Sequence, residues 1–354
     1  MKIIKQEALL LPTTCMDPFD IVEKIGRTCY KSEDQITEDS AKKFVSFLVA
    51  KKHHAMIEFG HVRMYIYGSQ NVNAFMTILN SAFWAIDASE ALQTAVLNIH
   101  MADTYVIGNM RAFYNLYDAY LNDKFAFTDN GFYETRNMFM HMLLGLATYY
   151  PEVYGELYKK SVEKFGPAND GDEYTGGNGE FEIVDQAEFE GDLADEKGAF
   201  ATDEVKMRLI PHIVKFTTNR GVSHELVRHR PCSFAQESTR YCNYIKDKFG
   251  GELVVIEPMY DPQSPEYFDW LVHAEASERV YMRQIGRGVQ PQAARGSLTN
   301  DLKTEIWVGA YEDQWQHMIN LRYHGTTGAP HPQIKEAFGL VYQQLVDASE
   351  GRLK

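Results

Sequence analysis

The sequence predicts an α+β fold, with a mixed sheet and long helices. Helix-period and strand-period segments are interspersed along the 354 residues without βαβ regularity, and no G-x-G-x-x-G or P-loop follows a strand. A hydrophobic content of 45%, with 13% aromatic residues, supplies a large core and excludes a disordered or fibrous chain.

Taken in order, Asp17-Pro18 opens a helix to about Lys31, with proline in the first turn. Thr37 to Lys52 places Ala41, Phe44, Val45, Leu48 and Val49 on one helical face. His61 to Tyr67 alternates Val62, Met64 and Ile66 with Arg63, Tyr65 and Tyr67, a strand period. The Met-, Phe- and Tyr-rich text from Asn71 to Tyr150 reads as mostly helical, with Met138, Met140 and Met142 as core. Further on, Leu209–Phe216, Gly251–Glu257 and Leu302–Gly309 read as strands. Ser223 is expected to cap a short helix to Arg228, and Ser264–Arg287, Glu312–Tyr323 and Pro332–Ser349 read as helices. One domain over 1–354 is expected.

The formal charge of −14 excludes general binding of nucleic-acid polymers, which needs an extended basic surface, and leaves room for a small anion. Residues 170–197 hold eleven acidic side chains against Lys197, −10 of that −14, interleaved with glycine. They read as an acidic insertion or mobile loop. Four cysteines without C-x2-C spacing predict no disulfide framework, and no apolar run suits a membrane span or signal peptide, so a cytoplasmic protein without a membrane partner is expected.

Chemistry concentrates at Arg228-His229-Arg230-Pro231-Cys232-Ser233-Phe234-Ala235-Gln236-Glu237-Ser238-Thr239-Arg240-Tyr241. Guanidinium forks, hydroxyls and backbone N–H groups of this kind suit a phosphate and a carbonyl-bearing ring. Arg295, His317 and Arg322 would add to the same site, and His53 and Glu58 lie on a turn entering a strand. His224-Glu225 opens like a zinc motif, but His229 follows five residues after His224 where a helical face needs four, so no metal is predicted. Cys232, Ser233 and Ser238 lack the setting of a nucleophile.

The spacing R-H-R-x2-S-x4-S-x-R from Arg228 to Arg240 resembles the signature of the flavin-dependent thymidylate synthases, the ThyX family, and the flanks from Lys215 to Tyr244 resemble its longer branch. Likeness extends to Arg27–Ser32, His53–Glu58, Gly108–Ala112 and Ala294–Lys335. The resemblance implies a ThyX-like homotetramer with FAD and dUMP side by side, NADPH and methylenetetrahydrofolate as co-substrates, and no enzyme thiol attacking the pyrimidine. It implies flavin contacts for His53, Glu58, Arg228, His229, Arg230 and His317. Nucleotide contacts are implied for Glu225, Gln236, Glu237, Ser238, Thr239, Arg240, Arg295 and Arg322. Catalytic roles fall to Arg228, Ser238, Arg322 and His53. A related nucleotide such as dCMP, or binding without turnover, are the rival readings. The chain departs from the family pattern at Phe59, Thr299, Tyr311 and Asp313, the last two removing an expected Asn-x-Arg pair on the flavin side, for which Asn109 and Arg111 are candidate substitutes.

Overall fold

The computed structural model describes residues 1–13, 16–67, 75, 94–99, 103–124, 132–167, 181–185, 188–189, 191, 202–240, 242–245 and 250–354. Tyr241, most of 170–197 and much of 71–93 therefore lie outside the described residues. Among the described residues the strands are β1 (Lys2–Ile4), β2 (Glu7–Leu10), β3 (His61–Ile66), β4 (Thr94–Ile99), β5 (Asp103–Asn109), β6 (Phe181–Val184), β7 (Pro211–Asn219), β8 (Ser233–Gln236), β9 (Val254–Ile256) and β10 (Lys303–Tyr311). The helices are α1 (Pro18–Tyr30), α2 (Ser40–Ala50), α3 (Met110–Leu121), α4 (Phe132–Tyr149), α5 (Pro151–Phe165), α6 (Asp203–Met207), α7 (Arg220–Leu226), α8 (Pro265–Gly286), α9 (Pro291–Ala294), α10 (Glu312–Ile319) and α11 (Pro332–Ala348).

The chain forms two compact units where a single domain was expected. The first comprises Met1–Leu11, Lys24–Ile36 and Pro211–Lys354. Its sheet runs β2-β7-β10-β8, with β7 and β10 antiparallel from Lys303↔Asn219 to Tyr311↔Pro211. Both are buried along nearly their whole length, which explains their continuous apolar text. Helix α11 packs against β2 and β7, burying Ile334, Phe338, Val341 and Leu345 at helical spacing. A separate parallel pair, β1 with β9, stands beside this sheet.

The second unit comprises Pro12–Glu23 and Thr37–Ile210, with sheet order β4-β5-β3-β6. Strand β3 is central, and from Val62 to Ile66 both of its faces are buried, so the alternation in its sequence marks no solvent face. The buried Arg63 guanidinium lies over the Phe189 ring, 5.8 Å from the centroid. Helix α5 packs against α2, α3 and α4, and the buried Tyr154 hydroxyl donates to the Met110 carbonyl at 2.9 Å.

Several expectations need correction. Among the described residues each four-stranded sheet is wholly antiparallel where a mixed sheet was expected; antiparallel neighbours need no crossover helix. Among its described residues the 71–150 stretch holds β4 and β5 directly ahead of α3, because short apolar runs carry no decisive period. Within 170–197, residues 181–184 form β6, paired to β3 from Ile66↔Phe181 to Arg63↔Val184, with Phe181, Val184 and Phe189 buried. That portion is core, and a loop throughout is ruled out. Helix α7 begins at Arg220 rather than Ser223, since the Asn219 side chain accepts from the Val222 N–H at 2.8 Å; the Ser223 hydroxyl instead donates to the Arg220 carbonyl.

Candidate active site

The arginine segment occupies the turn between α7 and β8 in the first unit. Strand β8 is pinned to β10 from Ser233↔Gly309 to Gln236↔Ile306, which fixes where the turn leaves and re-enters the sheet. Along the turn, Arg228 and Arg230 are exposed and His229 between them is buried. Arg230 lies over the Phe234 ring, 5.9 Å from the centroid, and its peptide bond to Pro231 is cis. The alternation presents two guanidinium groups outward and draws the imidazole in.

Inside, His229 meets Arg322, which is carried on a π-helical turn over Asn320–His324 directly after α10. Arg322 Nε donates to His229 Nε2 at 3.0 Å, and Arg322 Nη1 donates to Glu225 Oε2 at 2.7 Å. An imidazole nitrogen that accepts must be deprotonated. Burial, then the charges of Arg322 and His317, push the His229 pKa down to about 4, which keeps the ring neutral around pH 7. The His317 ring is 6.1 Å from that of His229, and its side chain is exposed. Three residues 93 and 97 positions apart in the chain thus form one hydrogen-bonded group.

The loop after β8 is held from within. Gln236 Nε2 donates to the Ser223 and Thr304 hydroxyls at 2.8 and 3.2 Å. The Glu237 carboxylate is buried, bound to Lys303 Nζ at 3.1 Å, and its backbone N–H donates to the Glu305 carbonyl at 2.9 Å. Both groups are therefore engaged within the fold. Glu305 in turn pairs with Lys31, with Lys303 at 3.1 Å and with Lys215 at 3.4 Å. Burial would raise the Glu305 pKa, but Lys303, Lys31 and Lys215 outweigh it and hold the carboxyl at about 2. On this base stand Ser238, half-buried, Thr239, buried, and Arg240, exposed; the Ser238 hydroxyl accepts from the Arg240 N–H at 3.3 Å.

Arg295 is exposed at the start of a short 3₁₀ turn in the same unit. His53 and Glu58 belong to the second unit, His53 exposed and Glu58 paired with Arg111. The Asn109 side chain caps α3 by accepting from the Ala112 N–H at 2.8 Å, so both Asn109 and Arg111 have structural partners there. Tyr311 is the residue preceding α10, and the Asp313 carboxylate accepts from the Gln314 N–H at 2.7 Å. The thiols of Cys29, Cys232 and Cys242 are buried, and burial pushes each up to about 12, which keeps these three protonated near neutral pH. Among the described residues no group of three or more His, Cys, Asp or Glu side chains is placed to hold a metal, and no helix is long and apolar enough to cross a membrane. Sequence reading missed the Lys31–Lys215–Lys303–Glu305 cluster, whose members lie in separate segments and share no motif.

The first unit thus joins antiparallel sheet and helix, with Arg228, Arg230 and Arg295 exposed and Arg322 held by Glu225 and His229. Residues 212–348 match the family described as thymidylate synthase complementing protein. A flavin-dependent thymidylate synthase of Corynebacterium glutamicum is 28% identical over 120 residues, 29% of this chain and 46% of the relative. That of Pyrococcus furiosus is 31% identical over 104 residues, 29% of this chain and 42% of the relative. The chain thus spans less than half the length of these two relatives. A solved structure of a UMP/dUMP methylase, PolB from Streptomyces cacaoi bound with 5-Br dUMP, is 16% identical with a TM-score of 0.33, covering 40% of this chain and 72% of that one. The likeness to this family lies over residues 212–348.

Proposed function

We propose that the protein is a flavin-dependent thymidylate synthase, which joins one carbon from methylenetetrahydrofolate to C5 of dUMP and reduces it to a methyl group, giving dTMP. The observation that carries the reading is Arg322, a guanidinium clamped by Glu225 and neutral His229 inside the segment the family covers. Its remaining N–H groups would donate to a uracil carbonyl and so orient and polarise the ring. Gln236, its amide N–H groups already given to Ser223 and Thr304, would meet the base through its carbonyl oxygen. Ser238, Thr239 and Arg240, on a loop fixed by Glu237, would hold the phosphate together with Arg295.

The donor set also suits FAD. Arg228 and Arg230 are exposed, can only donate, and have His317 as an exposed neighbour of the same cluster, a combination fitted to a pyrophosphate and a carbonyl-rich ring edge. Bound FAD, reduced by NADPH, would supply the hydride that completes the methyl group. Arg228 would lie at both ligands, and His53 and Glu58 would serve the flavin from a homotetrameric assembly, as the resemblance implies. The protonated thiols agree with a route that needs no enzyme nucleophile.

Asp313 favours a second reading, binding of a pyrimidine nucleotide without turnover, because it sets an anion where the family pattern has a cation. Purified protein incubated with FAD, NADPH, methylenetetrahydrofolate and dUMP, with products separated by chromatography, distinguishes them. Formation of dTMP that stops when any one component is omitted is expected. Nucleotide binding by a protein that takes up no flavin establishes the second reading, and a methylated or hydroxymethylated product from dCMP alone transfers the activity to cytosine nucleotides.

A further inference from the structure

The side chains of two residues expected to touch ligands have their observed hydrogen bonds with a third residue. His229 Nε2 accepts from Arg322 Nε, and Glu225 Oε2 accepts from Arg322 Nη1. An arginine side chain has four rotatable carbon-chain torsions and presents its donors in a plane; two bonds, at Nε and at one terminal nitrogen, fix both the position and the roll of that plane. Five donors minus these two leave three N–H groups, and Nη2 has no acceptor among the described residues.

The cost of this arrangement argues that it serves a purpose. The Glu225 carboxylate partly offsets the positive charge that a developing ring anion would feel, and burial of His229 gives up its hydration. An arginine needed for charge alone would be stronger without Glu225. An arginine needed in one orientation gains from both partners, because a pre-set donor plane is not reorganised when charge appears.

We propose that Glu225 and His229 are positioning residues that act on the nucleotide through Arg322, by locking its guanidinium plane before the ligand arrives. The inference rests on the assignment of Arg322 to the pyrimidine ring for its functional consequence, though not for its structural one. The neutrality of His229 across ordinary pH follows from its burial and from the adjacent guanidinium.

Two measurements test it. In protein labelled with ¹⁵N at arginine Nε, the Arg322 Nε–H is expected as a slowly exchanging resonance, identified by its absence from Arg322→Ala. It should exchange at the solvent-exposed rate in His229→Ala and stay protected in His229→Gln, which restores an acceptor. Equal protection in wild type and His229→Ala overturns the clamp, whatever the protein binds. Affinity for dUMP, measured by calorimetry, then tests the functional part. Glu225→Ala and His229→Ala should each weaken binding about ten- to a hundredfold, Glu225→Gln less than Glu225→Ala, and neither alanine change should weaken it further in an Arg322→Ala background. Losses that multiply in the double variants show that these side chains contact the nucleotide themselves and overturn positioning. Failure of the folded wild type to bind dUMP removes the proposed function and, with it, the nucleotide half of this inference; the exchange result still decides the clamp.

Discussion

Two sets of cations in the first unit use opposite chemistry. At the α7–β8 turn and beyond, Arg228, Arg230 and Arg295 are exposed, and Arg322 alone is held by an acid. In the interior, Lys31, Lys215 and Lys303 surround Glu305, and Lys303 also binds Glu237. The lysines are point charges saturated by protein carboxylates, and they shape the loop that begins at Glu237. Arg228, Arg230 and Arg295 instead offer exposed planar donors. The number of positive charges therefore says little about where an anion binds; the degree to which the fold has already neutralised them says much more.

Substitutions in the two sets should separate cleanly. The largest effect is expected at the first set: Arg322→Ala and Arg228→Ala should each lower kcat/KM for dTMP formation by about 10²–10³ or more, with the thermal midpoint unchanged in Arg228→Ala and lowered in Arg322→Ala, which leaves the buried His229 without its donor. Turnover near wild type in either variant would end the assignment. Next is the interior set, where Glu305→Gln leaves three lysines facing a neutral amide and should cost about 3–5 kcal/mol of stability. A urea midpoint equal to wild type would show that the cluster is hydrated and not structural.

Acidification sharpens the same contrast. Glu305 has its folded pKa depressed to about 2, so its contribution is complete above the unfolded value near 4.5 and disappears as pH falls towards 2. His229 is a base with its folded pKa lowered to about 4; the unfolded chain takes up the proton first, and stability declines between pH 6.5 and 4. Urea midpoints across pH 7 to 3 should fall through both windows, and His229→Gln should flatten the upper one only. The smallest effect is expected at Ser238→Ala, which removes one hydroxyl from the loop and should weaken dUMP binding by about three- to tenfold; a loss as large as that of Arg322→Ala would revive a serine nucleophile.

The second unit offers a further way to separate expectation from structure. Removal of residues 170–180 should be tolerated, whereas removal through 197 takes away β6 and should expose the β3 edge, causing aggregation detectable by light scattering. Equal solubility of the two deletions would mean that β6 contributes little.

Legibility in the sequence followed the range of the signal. Helices α8 and α11 and strands β3, β7 and β10 were evident because period and length agreed within a single segment. Gly-rich acidic text concealed β6, since only Phe181, Val184 and Phe189 announce a core and their pairing partner is β3, more than a hundred residues earlier. At the site, the signature and Arg322 were readable, but the partner of each was not. Glu237 looked like a ligand residue because its neighbours Ser238 and Arg240 do; its burial against Lys303 depends on the β8–β10 register. Likewise Glu225 and His229 carry no local mark of binding Arg322, 97 and 93 residues on.

The central claim is most directly tested by release of tritium from C5-tritiated dUMP, since methylation at that carbon must expel its hydrogen. Release that requires FAD, NADPH and methylenetetrahydrofolate together, and that Arg322→Ala abolishes, is the predicted result. No release from folded, nucleotide-bound protein, or release that continues without folate and NADPH, would contradict it.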